Sequence, residues 1–219
     1  MRPRGTPVDP IADASVSDLS FRSFQRTSAP STVEPMTPSP ARVARAQDAA
    51  AVAALAARTF PLACPPSLPR EHIAAFIAQH LGAAEFAAHI ADPDHRVWVV
   101  DGAPGPDGTV RPVGYALVLH GDFAEGPESL RGAPSSYLSK LYVDPDHHGA
   151  GVARTLLDAA ALDAGREPLW LGVNNDNARA KRFYAKSGFV VAGTRTFTVG
   201  ETTFVDDVLV LAAEAARGA

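Results

Sequence analysis

Between Leu141 and Leu157 the chain reads LYVDPDHHGAGVARTLL. An apolar, strand-like run meets a short polar turn, then two glycines, then the opening of a helix. Glycines at such a junction let the backbone lie close to a ligand, because no Cβ stands in the way. The first amides of the helix have no intrahelical partner, and the helix dipole adds partial positive charge there. Phosphate binds at such a terminus. A dinucleotide-binding turn needs G-x-G-x-x-G opening straight from a strand. Gly149 and Gly151 fit that spacing, but the third position is Arg154, too bulky for close helix–strand packing, and five residues (Asp144 to His148) precede the first glycine. A P-loop fails too, since no Gly-Lys-Ser/Thr follows. What remains is His148-Gly149-Ala150-Gly151-Val152-Ala153, whose backbone N–H groups gather around one helical turn and suit a pyrophosphate.

The next segment adds to this. In WLGVNNDNARAKRFYAKSGF (Trp170 to Phe189), Asn177 and Tyr184 are seven residues apart and so share one helix face, with Ala180 between them. Gly188 is placed to cap that helix. A phenol and an amide on one stripe suggest the polar wall of a cleft.

Working outward, HRVWVVD (95–101) and VGYALVLHG (113–121) alternate as strands joined by a PGPDG turn, and YLSKLYVD (137–144) follows as a third. LWLGV is a strand between two helices, and FVVAGTRTFTVG with TTFVDDVLVLA closes the chain as a hairpin. Upstream, ARVARA is a short strand and Gln47 to Arg58 a helix, with Val52, Leu55 and Phe60 for packing; the proline-rich PLACPPSLP ends it. Arg70–Leu81 and Ala84–Ile90 are further short helices. Antiparallel strands, then strand–helix–strand–helix, then a hairpin make an α+β layer fold.

Residues 1–40 are rich in Pro, Ser and Thr with no apolar period, and are expected to form a disordered tail before a domain spanning 41–219. Phe21 and Phe24 are its only features suited to docking. The net charge of −4 argues against a nucleic-acid binder that relies on bulk positive charge. No apolar run suits a membrane span, and MRPRGTPVDP lacks the apolar core of a secretory leader, so a cytoplasmic location is expected. The single cysteine, Cys64, excludes an intramolecular disulfide. His147 and His148 are adjacent and lack a third ligand, so no metal is expected.

Taken together, the glycine turn and the WLGV…FYAKSGF segment resemble the GNAT superfamily of acetyl-CoA-dependent N-acetyltransferases, over roughly Ala41 to Ala212. The family pattern Gln/Arg-x-x-Gly-x-Gly/Ala appears here with His148 at its first position. WLGV, the FY-x-K-x-GF run, Gly193 to Gly200 and the region of Asp207 further resemble the PaiA-type branch, whose members acetylate polyamines. The resemblance implies a mixed central sheet of six to seven strands flanked by helices and splayed between strands 4 and 5. It implies acetyl-CoA as co-substrate, held by Leu141, Tyr142, Val143, His148, Gly149, Ala150, Gly151, Val152, Ala153, Arg154, Asn177, Ala180 and Tyr184. Tyr184 is then the proton donor to the departing thiolate. The acceptor is a primary amine of a small molecule, with spermidine as the example. An amino acid, an antibiotic, a protein N-terminus, or a non-catalytic acyl-CoA-binding module are the alternatives. A homodimer is compatible with the resemblance. An amine with a pKa of about 10.4 must lose a proton before it attacks; Asp144, His147, Asp206 and Asp207 are the candidates to take it, and spacing does not choose among them.

Overall fold

The computed structural model describes residues 38–64, 68–124, 126–199 and 202–212. Seven strands form one sheet in the order β1-β2-β3-β4-β5-β7-β6. They are β1 (Arg42–Val43), β2 (His95–Asp101), β3 (Pro112–Gly121), β4 (Ser135–Val143), β5 (Leu169–Asn174), β6 (Val190–Val199) and β7 (Thr202–Leu211). Only β4 and β5 run parallel; every other neighbouring pair is antiparallel. The expected α+β sheet of six to seven strands is thus present with seven. The tail expected over 1–40 lies, as far as residue 37, outside the described residues, and Phe21 and Phe24 lie there too.

Among the described residues there are five α-helices: α1 (Ala49–Ala63), α2 (Arg70–His80), α3 (Ala83–Ala91), α4 (Val152–Ala164) and α5 (Ala178–Lys186). Strand side chains alternate between faces, and two cores result. On one face Val52, Leu55 and Phe60 of α1 and Phe86 of α3 pack on Tyr115, Leu117, Tyr142 and Trp170. On the other, Val152, Leu156 and Leu157 of α4 and Ala180 and Tyr184 of α5 pack on Leu138, Leu141, Val143, Leu171 and Val173. Most of these side chains are fully buried, each worth about 1.5–3 kcal/mol of transfer free energy. No single helix among the described residues is long and apolar enough to cross a membrane.

One boundary differs from expectation. The first helix does not stop before Pro61 but continues to Ala63, with the proline inside its last turn. Proline there removes one N–H and so one backbone bond. Phe60, buried and stacked on Phe76 at 4.8 Å, provides packing that offsets the loss.

Two irregularities of β4 shape the centre of the sheet. The β3–β4 register passes from Leu117↔Lys140 to Val118↔Leu138, which leaves Ser139 as a bulge. The β4–β5 ladder holds only Ser136↔Leu169 and Tyr137↔Trp170, and beyond those pairs the sheet splays open.

Candidate active site

At its open end, β4 leads into a 3-10 turn (Pro145–His147) and then α4. Gly149 and Gly151 both have φ of +83°, a left-handed conformation in which a side chain costs roughly 1–2 kcal/mol. Gly151 is the N-cap of α4, with no side-chain cap. The first helical bond runs from Thr155 N to Gly151 O at 3.0 Å, and among the described residues nothing accepts from the amides of Val152, Ala153 and Arg154. Three donors at a helix N-terminus therefore face outward.

They open into a cleft of about 420 Å³ that Val143, His148, Gly149, Gly151, Val152 and Arg154 line on one side. Arg179, Arg182, Phe183 and Lys186 of α5 line the other. The three cations of α5 recur at spacings of three and four and so share one helix face. With Arg154 they give the cleft four positive side chains beside the amide cradle. Arg154 is partly engaged, with Asp158 at 2.7 Å. The α5 stripe was missed in the sequence; its signal is the 179, 182, 186 spacing, which resembles an ordinary solvated face.

The edge of β4 completes the site. Asp144 N donates to Val113 O at 2.8 Å, which makes Val113 and Asp144 a hydrogen-bonded pair. By antiparallel alternation, the N–H and C=O groups of Leu141 and Val143 then point away from β3, into the splay. His148 Nε2 lies 3.2 Å from Val143 O. Burial depresses the His148 pKa, the Val143 carbonyl raises it, and the net direction is down. The neutral ring therefore donates Nε2–H to Val143, and its Nδ1 is buried with no partner among the described residues.

The other expected cofactor residues sit deeper or elsewhere. Tyr142 turns its ring to the opposite face, where it stacks on Tyr115 at 5.5 Å. Ala150 packs against the α4-side core rather than lining the cleft. Asn177 caps α5, its Oδ1 accepting from Ala180 N at 3.0 Å, so its amide serves the helix terminus instead of forming an open polar wall. Ala180 and Tyr184 are 1 % exposed and belong to the core between α5 and the sheet. The Tyr184 ring packs edge-on against Phe183 and Phe189.

The four candidate proton acceptors separate clearly. Asp144 pairs with Arg58 at 2.9 Å and accepts from Asp146 N at 3.2 Å. Burial alone would raise its pKa, but these partners hold it below the usual carboxylate range. Asp207 pairs with Lys181 at 2.6 Å and ties β7 to α5. His147 lines the same cleft as the amide cradle. Asp206 is buried on the opposite face beside Arg195.

The arrangement offers a cradle of outward-facing amides, a cationic wall and a strand edge that faces no neighbouring strand. Comparison with known proteins agrees. The sequence profile of the Acetyltransferase (GNAT) family matches residues 51–189. An uncharacterized N-acetyltransferase of Mycobacterium tuberculosis (strain ATCC 25618 / H37Rv) is 44% identical over 166 residues, which cover 74% of this chain and 96% of that protein. Among solved structures, the PaiA N-acetyltransferase of Thermoplasma acidophilum in complex with coenzyme A aligns with a TM-score of 0.57 at 18% identity, over 78% of this chain and 96% of that one. Arabidopsis thaliana NAA60 in complex with acetyl-CoA aligns with a TM-score of 0.59 at 16% identity, over 78% and 96%. These last two share the fold. The chain belongs to the GNAT family of acetyltransferases and is an acetyl-CoA-dependent N-acetyltransferase.

Proposed function

We propose that this enzyme moves the acetyl group of acetyl-CoA to a primary amine of a small, polyamine-like molecule such as spermidine. Residues 41–219 form the transferase domain, preceded by a tail, and the enzyme works in the cytoplasm. The observation that carries the reading is the pair of left-handed glycines that turn the Val152, Ala153 and Arg154 amides outward beside four cations. A diphosphate meets both requirements of such a site, negative charge and several acceptor oxygens. The pantetheine arm then lies along β4 as an added strand, using the Leu141 and Val143 backbone groups. To do so it replaces the His148 contact at Val143 O.

The thioester carbonyl sits where β4 and β5 part, and a backbone N–H there stabilises the charge that develops on its oxygen. The amine attacks as the neutral base, the new C–N bond forms, and the C–S bond breaks. Tyr184 gives its proton to the departing thiolate. Polyamines are the acceptor reading because of the likeness to the PaiA branch in the WLGV and FYAKSGF segments.

A thiol-release assay with acetyl-CoA and a panel of amines (spermidine, free lysine, an aminoglycoside and a peptide with a free N-terminus) tests this. Release with spermidine well above the other amines is the expected result. Preference for another amine would overturn the polyamine reading. CoA binding without release for any amine would overturn catalysis.

A further inference from the structure

We propose that Asp206 is the group that takes the acceptor's proton, held in place by Arg195 on the face of the sheet opposite the cofactor cleft. The proposal rests on the acetyl-transfer reading above and names the base that reading requires.

Strand parity sets the direction of each carboxylate. Gly172 pairs with Val208, which lies in the α1-side core, so Asp206, two residues away on β7, faces that side as well. Asp207 faces the other way, toward α5, where Lys181 neutralises it. Of two adjacent carboxylates, one thus anchors the helix that bears Tyr184, and the other stands across the sheet from it. Asp206 pairs with Asn174, the last residue of β5, beside the open end of the splay. An acceptor that approaches from the α1 side reaches the thioester through this region while the coenzyme occupies the other face.

Asp206 is the only acidic side chain among the described residues that is fully buried, at 3 % exposed. Burying a carboxylate is unfavourable unless it is paired. Arg195 supplies the pair: its Nε and Nη2 donate to the same oxygen, Oδ2, at 3.2 and 3.1 Å. Oδ1 carries no hydrogen bond among the described residues and so keeps its lone pairs for an incoming proton. The same Nη2 donates to Tyr137 Oη at 3.2 Å, which links β6 to β4 across β7 and β5. That crossing is open only because residue 172 is glycine. A Cβ there would lie 2.6 Å from Arg195 Cζ and 2.7 Å from its Nε.

The charged and titratable groups around Asp206 are Arg195 from β6, Tyr137 and Lys140 from β4, and Asp207 on its own strand. Lys140 shares the face because it pairs with Leu117. Burial is the largest influence on Asp206, Asp207 adds to it, and both outweigh Arg195, so the carboxyl is pushed up to about 6. At neutral pH it is ionised yet basic enough to accept a proton, the balance general-base catalysis favours. The step balances: the acceptor R–NH3+ gives one proton to Oδ1, the neutral amine attacks the thioester and the C–S bond breaks. The second proton the nitrogen loses replaces the one Tyr184 gives the thiolate, and Asp206 later returns its own to solvent.

The experiment compares wild type with Asp206→Asn, using the fastest of spermidine, free lysine and an alanyl peptide as acceptor. kcat/KM is read from pH 5 to 9.5, with calorimetric titration of CoA and thermal melting alongside. Asparagine keeps an oxygen for Arg195 but cannot take the proton. Wild type should fall as pH drops through about 6, where Asp206 becomes protonated, and level off above it. The variant should lose about 100-fold or more at pH 7. Its rate should then rise about tenfold per pH unit toward the amine's own pKa, with CoA affinity unchanged. A loss that is the same at every pH, or a variant within threefold of wild type throughout, overturns the proposal. If the variant does not fold, the wild-type profile decides alone, since a unit-slope rise to pH 9 with no plateau also overturns it. A wild type that releases no thiol with any acceptor overturns the transfer reading and this proposal with it.

Discussion

Replacing Gly114 by alanine tests whether the amide cradle is positioned by the packing beneath it. Gly114 lies on β3 opposite Val143, under the first turn of α4. A Cβ built there would stand 2.6 Å from Val152 Cγ1, 3.0 Å from Leu156 Cδ1 and 3.3 Å from the Tyr142 carbonyl oxygen. Carbon atoms in contact sit about 3.5–4.0 Å apart, so the overlap with Val152 is about 1 Å. Val152 is 3 % exposed and stiff at χ1 within a helix, and Leu156 is fully buried. Neither can swing aside, so the N-terminal turn of α4 must retreat. Overpacking of this kind costs about 1–3 kcal/mol. A value of about 2 kcal/mol lowers Tm by about 4–8 °C for a chain of this size. The same retreat carries the Val152–Arg154 amides away from the diphosphate, and losing one charge-assisted hydrogen bond weakens CoA binding by about tenfold. Thermal melting and calorimetric titration of CoA measure the two effects. Gly108→Ala is the control: its φ of +73° makes a side chain strained, but nothing lies within 4 Å, so it should lose stability without losing CoA affinity. Packing control of the cradle is refuted if Gly114→Ala melts within 1 °C of wild type, or if its CoA affinity falls no more than that of the control.

Tyr184→Phe should lower turnover at least about tenfold while CoA titrates nearly as in wild type; unchanged turnover in the thiol-release assay would remove Tyr184 from the mechanism. Arg179→Ala with Arg182→Ala should weaken CoA binding by about tenfold at low salt and flatten its dependence on salt, because screening acts on charges that the double variant lacks. Asp48 accepts from Arg42 at 2.7 Å and from Arg45 N at 2.7 Å, and Arg42 foremost holds its pKa below the usual carboxylate range. A depressed carboxylate stabilises the fold above its unfolded-state pKa, and that contribution fades as pH falls through the folded value. Asp48→Ala should therefore lose about 1 kcal/mol in urea unfolding at pH 7, and its deficit against wild type should shrink as pH falls below the ordinary carboxylate range.

The fold was legible where a local pattern carries a tertiary consequence. The alternation in HRVWVVD and VGYALVLHG is the signature of one buried face, and the Gly149–Gly151 turn is written in residues that only an unusual backbone needs. Pro61 misled because its penalty is local while the burial of Phe60 against Phe76 is not. Asn177 looked like part of a ligand wall because seven-residue spacing assumes both residues are helical, whereas it stands just outside α5 as the cap. Asp206 and Asp207 were indistinguishable in the sequence. That they face opposite ways follows from strand alternation, but which of them meets α5 depends on β7 inserting between β5 and β6, a topological fact that no window around them contains.

The short β4–β5 ladder has a consequence for amide hydrogen exchange. Strands at the middle of a sheet are ordinarily its slowest-exchanging part, yet the Leu141 and Val143 amides face a gap rather than a neighbour. In the ligand-free enzyme these two should trade deuterium faster than their flanking residue Tyr142, whose backbone pairs with β3. Protection concentrated at just those alternate amides when coenzyme is added would amount to watching the sheet gain its missing strand.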